Sequence, residues 1–348
     1  MKILFLQKSN KYSGAENVIL QIMSLLPPDY ETYYVSPDGP IKKIVEEKGL
    51  NFISLGIPNL KNVRKIVKKL NPDIVHASDY TMSVLASLAS RKPVVSHLHS
   101  DPEWLGHPLN PKAMAYAICL PFINKVVTVS DSIKEEYAYS FLLKNKIITI
   151  DNVINSSEIY KKSLENPDDL KKVDLIYLGR LSQEKNPLLF CKIVNKVRMF
   201  YPHIRAVMIG NGNMKEQIKH YIAQNNLNEN LQLLGFKKNP YPYIRGAQIG
   251  LMPSKYEGFG LAAVEMLSLG KPVLCSNAGG LKNIVNDKCG GICNDLSEYS
   301  EQIKKLLENK NYYNMKSRNA LKCAEKYSNL NDYKDQIESI YNEIIKDL

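Results

Sequence analysis

The stretch Asp174–Tyr201 decides the fold class, and it reads DLIYLGRLSQEKNPLLFCKIVNKVRMFY. Its apolar run Leu175–Leu178 predicts a short buried strand. The polar segment Gly179–Asn186 predicts a loop, and Pro187–Tyr201 predicts a helix with proline in its first turn. A strand, a loop and a helix in this order are the repeating unit of parallel α/β sheets.

The same unit recurs along the chain in both directions from this stretch. Near the N-terminus, Ile3–Leu6 predicts a strand, and Gly14–Leu26 predicts a helix that stops at the two prolines that follow. Further strand-like runs lie at Tyr33–Val35, Asp73–His76, Pro93–His97, Lys125–Val129, Lys146–Ile150, Ala206–Ile209, Leu231–Leu234, Ile249–Met252 and Pro272–Cys275. Two cycles predict an α/β protein with two Rossmann-like, doubly wound parallel-sheet domains, joined by the polar linker Ser156–Lys172.

Length and composition agree with a globular protein of two domains. The chain has 348 residues, of which 44% are hydrophobic and 23% charged, so wholesale disorder is excluded. Its longest uncharged stretch, Ala113–Asn124, contains Pro121 and is too short to span a bilayer. We interpret this stretch as a buried helix, or as one wall of a binding site near Trp104. The chain has six cysteines and no Cys-x-x-Cys pair, which predicts reduced thiols. The first eight residues do not resemble a signal peptide, which predicts a cytoplasmic location.

Basic residues exceed acidic ones, which favours anionic partners without choosing among them. The chain has 46 Lys and Arg against 35 Asp and Glu. Nucleic acid has only this net charge in its favour, so we expect no nucleic-acid partner. Segment Lys61–Leu70 is amphipathic, with cations on one side and aliphatic residues on the other. It predicts a surface helix packed on the first domain, with contact between Lys61–Lys69 and an anionic membrane as the alternative.

The strongest functional motif is Pro253–Met266, which reads PSKYEGFGLAAVEM. On one continuous helix, Glu257 and Glu265 would be separated by about 12 Å. The glycines at 258 and 260 instead predict that the helix begins near Leu261, with Glu257 in the loop and Glu265 one turn inside the helix. The free N–H groups of Leu261 and Ala262, at the positive helix end, would hold a phosphate between two carboxylates that accept bonds from hydroxyls. A sugar nucleotide has this combination of groups; a capped surface helix with a solvated Glu is the alternative.

A second motif follows the strand of the opening stretch. Arg180 and Lys185 lie on the two sides of one loop, at a strand end and a helix start. Arginine supplies a planar fork and lysine a point charge, so together they could neutralise a diphosphate without a metal ion. The alternative is two solvated cations. A third motif, Gly210-Asn211-Gly212, lacks the last glycine of a dinucleotide fingerprint, and we interpret it as a tight turn.

These motifs resemble the signature of retaining GT-B glycosyltransferases of the "glycosyl transferases group 1" type, family GT4. The resemblance is carried by Gly179-Arg180 with Lys185-Asn186 and by Glu257-x7-Glu265, and it extends over nearly the whole chain. Ser13-Gly14-Ala15-Glu16 resembles the Gly-Gly-x-Glu loop of the family, with Ser13 in place of the first glycine.

Weaker elements of the same family pattern occur elsewhere. Pro72–His76 and Pro93–His99 resemble strands of the first domain, and Asp151–Asn155 resembles the Asn-Gly-Val-Asp linker in a degraded form. Ala278–Asn283 resembles a Gly-Gly-x-Pro-Glu element in which Lys282 and Asn283 replace Pro and Glu.

The resemblance implies a role for each matching residue. Arg180 and Lys185 would hold the donor diphosphate together with the backbone amides of Leu261 and Ala262. Glu265 would accept hydrogen bonds from the ribose. Glu257, with the backbone of Gly258, Phe259 and Gly260 beside it, would contact the donor sugar. Phe236 and Lys237 would border the base. Gly14 would approach the phosphates or the acceptor closely.

The resemblance also points to one of two histidines at the end of a predicted strand. His99 matches the active-site histidine of the family, which would touch the donor sugar or the acceptor. His97 lies two residues earlier, so both rings could face one side of the strand. A structural role is the alternative for each, and the pair would be available as a proton acceptor near pH 7.

The resemblance implies the GT-B fold, with two domains that face each other across a cleft. We expect a nucleotide-sugar-binding domain at 170–327 and an acceptor-binding domain at 1–160, completed by a helix at about 328–348. The implied activity moves a hexosyl or N-acetylhexosaminyl unit from a nucleotide-diphosphate sugar, UDP favoured, with retention of configuration. We expect no metal or other cofactor, catalytic roles for His99, Arg180, Lys185 and Glu257, and a glycan or lipid-linked acceptor in bacterial surface-polysaccharide assembly. The location would be cytoplasmic or peripheral on the inner membrane face, and the alternatives are a non-catalytic binding subunit and a sugar-nucleotide epimerase.

Overall fold

The computed structural model describes residues 1–165 and 173–347. The second half of the predicted linker, residues 166–172, lies outside the described residues, as does Leu348. The chain divides into two compact units, and the last helix belongs to the first of them. The first unit comprises Met1–Asn152 and Leu330–Leu348, and the second comprises Val153–Asn329.

The first unit is built on a parallel sheet of seven strands. The strands are β1 Lys2–Leu6, β2 Glu31–Ser36, β3 Asn51–Ser54, β4 Ile74–Ser78, β5 Val94–Leu98, β6 Lys125–Thr128 and β7 Ile147–Thr149. Their order in the sheet is β3-β2-β1-β4-β5-β6-β7, so the direction of winding reverses between β1 and β4. Strands β4 and β5 are buried along their whole length, as expected for a sheet covered by helices on both faces.

The second unit repeats this plan with six parallel strands. They are β8 Leu175–Leu178, β9 Ala206–Ile209, β10 Leu231–Gly235, β11 Ile249–Met252, β12 Val273–Cys275 and β13 Gly290–Ile292. The order is β10-β9-β8-β11-β12-β13, with the reversal between β8 and β11. The predicted doubly wound parallel sheets are therefore confirmed in both units.

Fifteen helices accompany the strands in the described residues. They are α1 Gly14–Leu25, α2 Pro40–Glu47, α3 Leu60–Leu70, α4 Asp79–Ala89, α5 Pro111–Cys119, α6 Ser132–Glu136, α7 Ser156–Ser163, α8 Pro187–Arg198, α9 Lys215–Gln224, α10 Tyr241–Gly246, α11 Leu261–Ser268, α12 Leu281–Ile284, α13 Leu296–Glu308, α14 Lys310–Glu325 and α15 Leu330–Lys346. Short 3₁₀ turns lie at Glu103–Gly106, Leu120–Phe122, Ser140–Leu142 and Lys144–Lys146. Helix α15 packs against α1 inside the first unit. None of the helices in the described part of the chain is long and apolar enough to span a membrane.

Three elements differ from the sequence prediction, each for a local reason. Strand β3 was not predicted because it is short, at the sheet edge and only half-buried, and β13 was not predicted because it begins with two glycines. Part of the predicted linker is helix α7, which Asn155 caps by accepting a hydrogen bond from the Glu158 N–H.

The predicted reduced cysteines are present as free thiols, and only Cys323 is not fully buried.

Candidate active site

The sheet topology of the second unit singles out two loops. Ligands of doubly wound sheets bind at the carboxyl ends of the strands where the winding reverses. In the second unit these are the loops after β8 and β11, which contain the two motifs with charged residues. The topology alone therefore directs attention to residues 179–186 and 253–260.

Hydrogen bonds between the two loops bring their charged side chains together. The backbone N–H groups of Lys255 and Tyr256 donate to the carbonyl oxygen of Glu184 at 2.7 and 3.2 Å. This contact aligns the next residue of the first loop, Lys185, with Glu257 in the second. The Lys185 Nζ lies 2.5 Å from the Glu257 Oε1. Two residues separated by 72 positions in sequence thus form one charged centre, as the sequence predicted for a common site.

This ion pair is largely shielded from water. The side chains of Lys185 and Glu257 are 19% and 9% exposed. The Ser254 hydroxyl lies 3.3 Å from the second carboxylate oxygen of Glu257. A partly buried cation must keep an anionic partner, because an unpaired buried charge is strongly unfavourable. In this structure Glu257 is the anionic partner of Lys185.

Arg180 lies on an exposed segment whose backbone is held from two sides. The Tyr177 hydroxyl donates to the carbonyl oxygen of Arg180 at 2.8 Å. A methyl group on Gly210 would lie 1.9 Å from the Gly179 carbonyl oxygen, and one on Gly212 would lie 2.2 Å from the Leu181 carbonyl oxygen. Only glycine permits such close packing of the two loops. The predicted tight turn after β9 thus supports the backbone around Arg180, a function that the incomplete fingerprint did not reveal.

Helix α11 begins at Leu261, as the glycine pattern predicted. Gly260 precedes it with a φ of +109°, a conformation that favours glycine. Leu261 and Ala262 are only half-buried, and the N–H groups of a first helical turn have no partner within the helix. The positive end of α11 therefore lies next to the loop that carries Glu257.

A third loop supports the glutamate loop from behind. The Gly280 N–H donates to the Glu257 carbonyl oxygen at 3.0 Å, and a methyl group on Gly280 would lie 2.6 Å from the Gly258 carbonyl oxygen. Phe259 turns its side chain into the protein, where its ring contacts Tyr327 edge-on at 5.4 Å between centroids. The side chain of Phe259 is therefore part of the protein interior.

Glu265 lies in a separate, less polar environment on α11. Its carboxylate accepts a hydrogen bond from the Tyr241 hydroxyl at 3.1 Å. Burial raises the pKa of Glu265 from 4.5 to about 7, and the bond from Tyr241 opposes this rise. Tyr241 was not predicted from sequence because it lies in α10, 24 residues from its partner and outside any motif.

Phe236 and Lys237 follow β10, and the structure leaves the ring of Phe236 exposed. Gly235 has a φ of +70°, which turns the chain at this point. The Lys237 ammonium lies 5.1 Å from the centre of the Tyr243 ring. An exposed aromatic ring beside a cation at the end of a strand is suited to stacking on a nucleobase.

In the first unit, the loop after β1 ends at an exposed glycine. Gly14 is the first residue of α1 and is preceded by Ser13, whose hydroxyl donates to the Glu16 carboxylate at 2.5 Å. Ser13 is the N-cap residue of α1 by position, where the family pattern has glycine, but its side chain makes no capping hydrogen bond to the helix backbone. The loop lies at the other winding reversal, between β1 and β4.

The histidines form a buried chain rather than an exposed pair. The His76 Nδ1 lies 2.7 Å from the Tyr341 hydroxyl, and the His76 Nε2 lies 3.0 Å from the His97 Nδ1. The His97 ring packs on His99 with 4.1 Å between centroids. His97 Nε2 and both ring nitrogens of His99 are buried without a hydrogen-bond partner in the described residues.

The prediction that His97 and His99 accept protons near pH 7 is wrong. Burial lowers the pKa of His99 to about 3 and that of His97 well below its usual value of 6.5. Both rings are neutral near pH 7 and do not titrate there.

Two doubly wound domains, with charged side chains gathered at the winding reversal of the second, define a protein of the GT-B class. Family comparisons agree. Residues 157–323 match the family described as "Glycosyl transferases group 1", and residues 12–158 match "Glycosyltransferase Family 4". The chain therefore belongs to this group of glycosyltransferases.

Individual relatives match nearly the whole chain at low identity. The UDP-Gal:alpha-D-GlcNAc-diphosphoundecaprenol alpha-1,3-galactosyltransferase of Escherichia coli is 24% identical over 99% of this chain and 97% of its own length. The N-acetylgalactosamine-N,N'-diacetylbacillosaminyl-diphospho-undecaprenol 4-alpha-N-acetylgalactosaminyltransferase of Campylobacter jejuni is 21% identical over 90% of this chain and 93% of its own length. HepE from Anabaena, solved with UDP and glucose, has the same fold, with a TM-score of 0.84 at 21% identity over 98% of this chain and 99% of HepE.

Proposed function

We propose that this glycosyltransferase moves a hexosyl or N-acetylhexosaminyl unit from a UDP-sugar to a lipid-linked glycan acceptor, with retention of configuration and without a metal ion. The observation that carries the proposal is the shielded Lys185–Glu257 pair beside the start of α11. UDP is favoured because the solved relative HepE holds UDP with glucose.

The diphosphate would bind where the structure concentrates positive charge. Lys185 would leave Glu257 for the diphosphate, Arg180 would add its planar fork, and the Leu261 and Ala262 amides would complete the site. These groups supply the charge that other enzymes obtain from a metal ion. Glu257, released from Lys185, would then accept hydrogen bonds from the hydroxyls of the donor sugar, next to the Gly258–Gly260 backbone.

The remaining residues would bind the rest of the substrates. Glu265 would accept hydrogen bonds from the ribose hydroxyls, and Phe236 with Lys237 would border the base. His99 would contact the donor sugar or the acceptor through its free ring nitrogens, which need a partner because they are buried. Gly14 would allow the phosphates or the acceptor to approach the backbone closely.

The reaction would proceed on one face of the sugar without a covalent intermediate. The bond between the anomeric carbon and the phosphate oxygen breaks, and the acceptor oxygen bonds to that carbon from the same side. The acceptor proton passes to the leaving phosphate, which Arg180, Lys185 and the α11 amides stabilise. Catalysis would come mainly from positioning and from charge stabilisation.

Support for a lipid-linked acceptor comes from the relatives and from helix α3. The names of the Escherichia coli and Campylobacter jejuni relatives specify acceptors on undecaprenol diphosphate. Five exposed cations lie on α3: Lys61, Arg64, Lys65, Lys68 and Lys69. We propose that Lys61–Lys69 contacts an anionic membrane, so that the enzyme acts as a peripheral protein on the cytoplasmic face.

The proposal is tested by the stereochemistry of the product. Purified protein is incubated with a panel of UDP-sugars, an undecaprenyl-diphosphate-linked sugar and EDTA, and the anomeric proton of the product is observed by NMR. We expect an α-linked product from an α-linked donor, and loss of at least about 100-fold in rate in Lys185→Ala. Lys192→Ala, on the exposed side of α8, is the matched control and should keep wild-type rates. A β-linked product, dependence on added Mg²⁺, or an epimerised donor in the absence of acceptor would overturn the proposal.

A further inference from the structure

A chain of hydrogen bonds in the first unit runs from helix α15 into the sheet. It begins at the Tyr341 hydroxyl, which lies 2.7 Å from the His76 Nδ1, and continues from the His76 Nε2 to the His97 Nδ1 at 3.0 Å. It ends at the His97 Nε2, which is buried and has no hydrogen-bond partner in the described residues. All three side chains are fully buried, and a buried polar atom without a partner is uncommon in native proteins.

The register of β4 and β5 shows where this chain of bonds ends. His76 in β4 lies beside Val95 in β5, so His97 is two residues nearer to the carboxyl end of the sheet and on the same face. The His99 ring follows, and it packs on the His97 ring with 4.1 Å between centroids. The rings thus lead from the middle of β4 to the edge at which doubly wound sheets bind ligands.

The three groups of this chain are uncharged near pH 7. Burial lowers the pKa of His76 to about 3 and that of His97 well below its usual value. Burial also raises the pKa of Tyr341 well above 10, so its hydroxyl keeps the proton. A neutral imidazole has one N–H donor and one acceptor nitrogen. The role of one ring nitrogen therefore fixes the role of the other.

Two arrangements of protons make both hydrogen bonds. In the first, Tyr341 donates to the His76 Nδ1, the His76 Nε2–H donates to the His97 Nδ1, and His97 carries its proton on Nε2. In the second, each donor becomes an acceptor, and His97 carries its proton on Nδ1. The second arrangement leaves the Tyr341 O–H without an acceptor, because His76 is its one partner among the described residues. An unpaired buried O–H is unfavourable, so the first arrangement is the stable one.

We propose that Tyr341, acting through His76, is a positioning residue that keeps the proton of His97 on Nε2, and that this N–H donates a hydrogen bond to a substrate oxygen. His97 is then a donor and not a base, in agreement with a ring that is neutral near pH 7. Tyr341 and His76 lie 265 positions apart in sequence, so no local motif could connect them. The contact with substrate rests on the proposed function, whereas the position of the proton does not.

Nitrogen-15 NMR of the histidine rings locates the proton, because N–H nitrogens and bare ring nitrogens differ in chemical shift. The chain has six histidines, and His97→Gln identifies the signals of His97 by their loss. We expect the wild type without ligand to carry this proton on Nε2. In Tyr341→Phe both arrangements leave two groups unpaired, so the proton should be divided between the two nitrogens. Tyr333→Phe, which removes a buried hydroxyl of α15 with no hydrogen-bond partner in the described residues, is the matched control and should keep the wild-type signals.

Transfer kinetics, with a sugar nucleotide that the wild type uses, test the contact with substrate. His97→Gln keeps an N–H donor near the position of Nε2, whereas His97→Met has a similar size and no donor. Both variants lose the bond to His76, so their difference reports the donor alone. We expect kcat/KM to be about ten-fold higher in His97→Gln than in His97→Met. Tyr341→Phe should lose about three-fold or more in kcat/KM, and Tyr333→Phe should match the wild type.

Three results would overturn this proposal. They are a His97 proton on Nδ1 in the wild type, an unchanged position of the proton in Tyr341→Phe, and equal kcat/KM in His97→Gln and His97→Met. A donor other than a UDP-sugar, or a product of inverted configuration, would contradict the proposed function but would leave all three measurements and their expected results in place.

Discussion

Two acidic residues of one motif have different properties because their surroundings differ. Glu257 forms an ion pair with Lys185 at 2.5 Å, whereas Glu265 has no ion pair within the described part of the chain and accepts one hydrogen bond from Tyr241. The spacing of the two residues was visible in the sequence, and so was the start of α11 between them. Their opposite environments were not, because Lys185 and Tyr241 come from other segments of the chain.

Glu265 gives a prediction for the pH dependence of stability. Its pKa is about 7 in the folded protein against an ordinary value of 4.5, so the folded state holds this proton more tightly. Stability from this group is present at low pH and is lost as the pH rises from about 4.5 to about 7. Glu265→Gln keeps the bond acceptor and removes the charge, so it should gain about 2 kcal/mol relative to wild type between about pH 4 and about pH 8.

Chemical denaturation at several pH values measures this difference. The exposed residue Glu301 provides the control for loss of one negative charge, and Glu301→Gln should follow the wild-type profile. If the free energies of unfolding of Glu265→Gln and wild type changed in parallel with pH, the Glu265 carboxyl would not be held protonated in the folded protein.

At the scale of elements, loops positioned by glycine determine the site. Gly210 and Gly280 have no functional groups, yet each lets one loop lie directly on the backbone of another. The sequence indicated a turn at Gly210 and a family element at Ala278–Asn283, in which Lys282 and Asn283 depart from the family pattern. It could not show which backbone each loop contacts, because such contacts join segments that are distant in the chain.

Gly280→Ala should therefore impair nucleotide binding more than stability alone would explain. Gly280 has a φ of −67°, so the backbone conformation allows alanine. The new methyl group, however, would lie 2.6 Å from the Gly258 carbonyl oxygen, which would have to move away. Moving this carbonyl shifts the loop that carries Glu257, so we expect weaker binding of UDP in Gly280→Ala. Gly49→Ala is the control: it has a φ of +71° and open space, and should cost about 1 kcal/mol of stability without affecting UDP affinity.

Titration of both variants with UDP, beside their unfolding curves, distinguishes the two effects. Equal UDP affinity in Gly280→Ala and Gly49→Ala would contradict the view that the loop at Gly280 positions the glutamate loop.

At the scale of the whole molecule, sequence reasoning succeeded where signals are local and periodic. Apolar runs located most of the strands, and their alternation with helices predicted both parallel sheets. It did not locate β3 or β13, whose polar or glycine-rich sequences depend on neighbouring strands. Helix α5 shows the opposite limit: its apolar composition predicted burial, but only one side is buried.

The central claim is that protein cations, rather than a metal ion, bind the donor diphosphate. Calorimetric titration with UDP and with uridine, in the presence of EDTA, tests it most directly. The wild type and the control Lys192→Ala should bind UDP at least about ten-fold more tightly than uridine, because charge-assisted hydrogen bonds to phosphate are strong. In Lys185→Ala and Arg180→Ala this preference should largely disappear while uridine binding persists. An undiminished preference for UDP in both variants would contradict the claim.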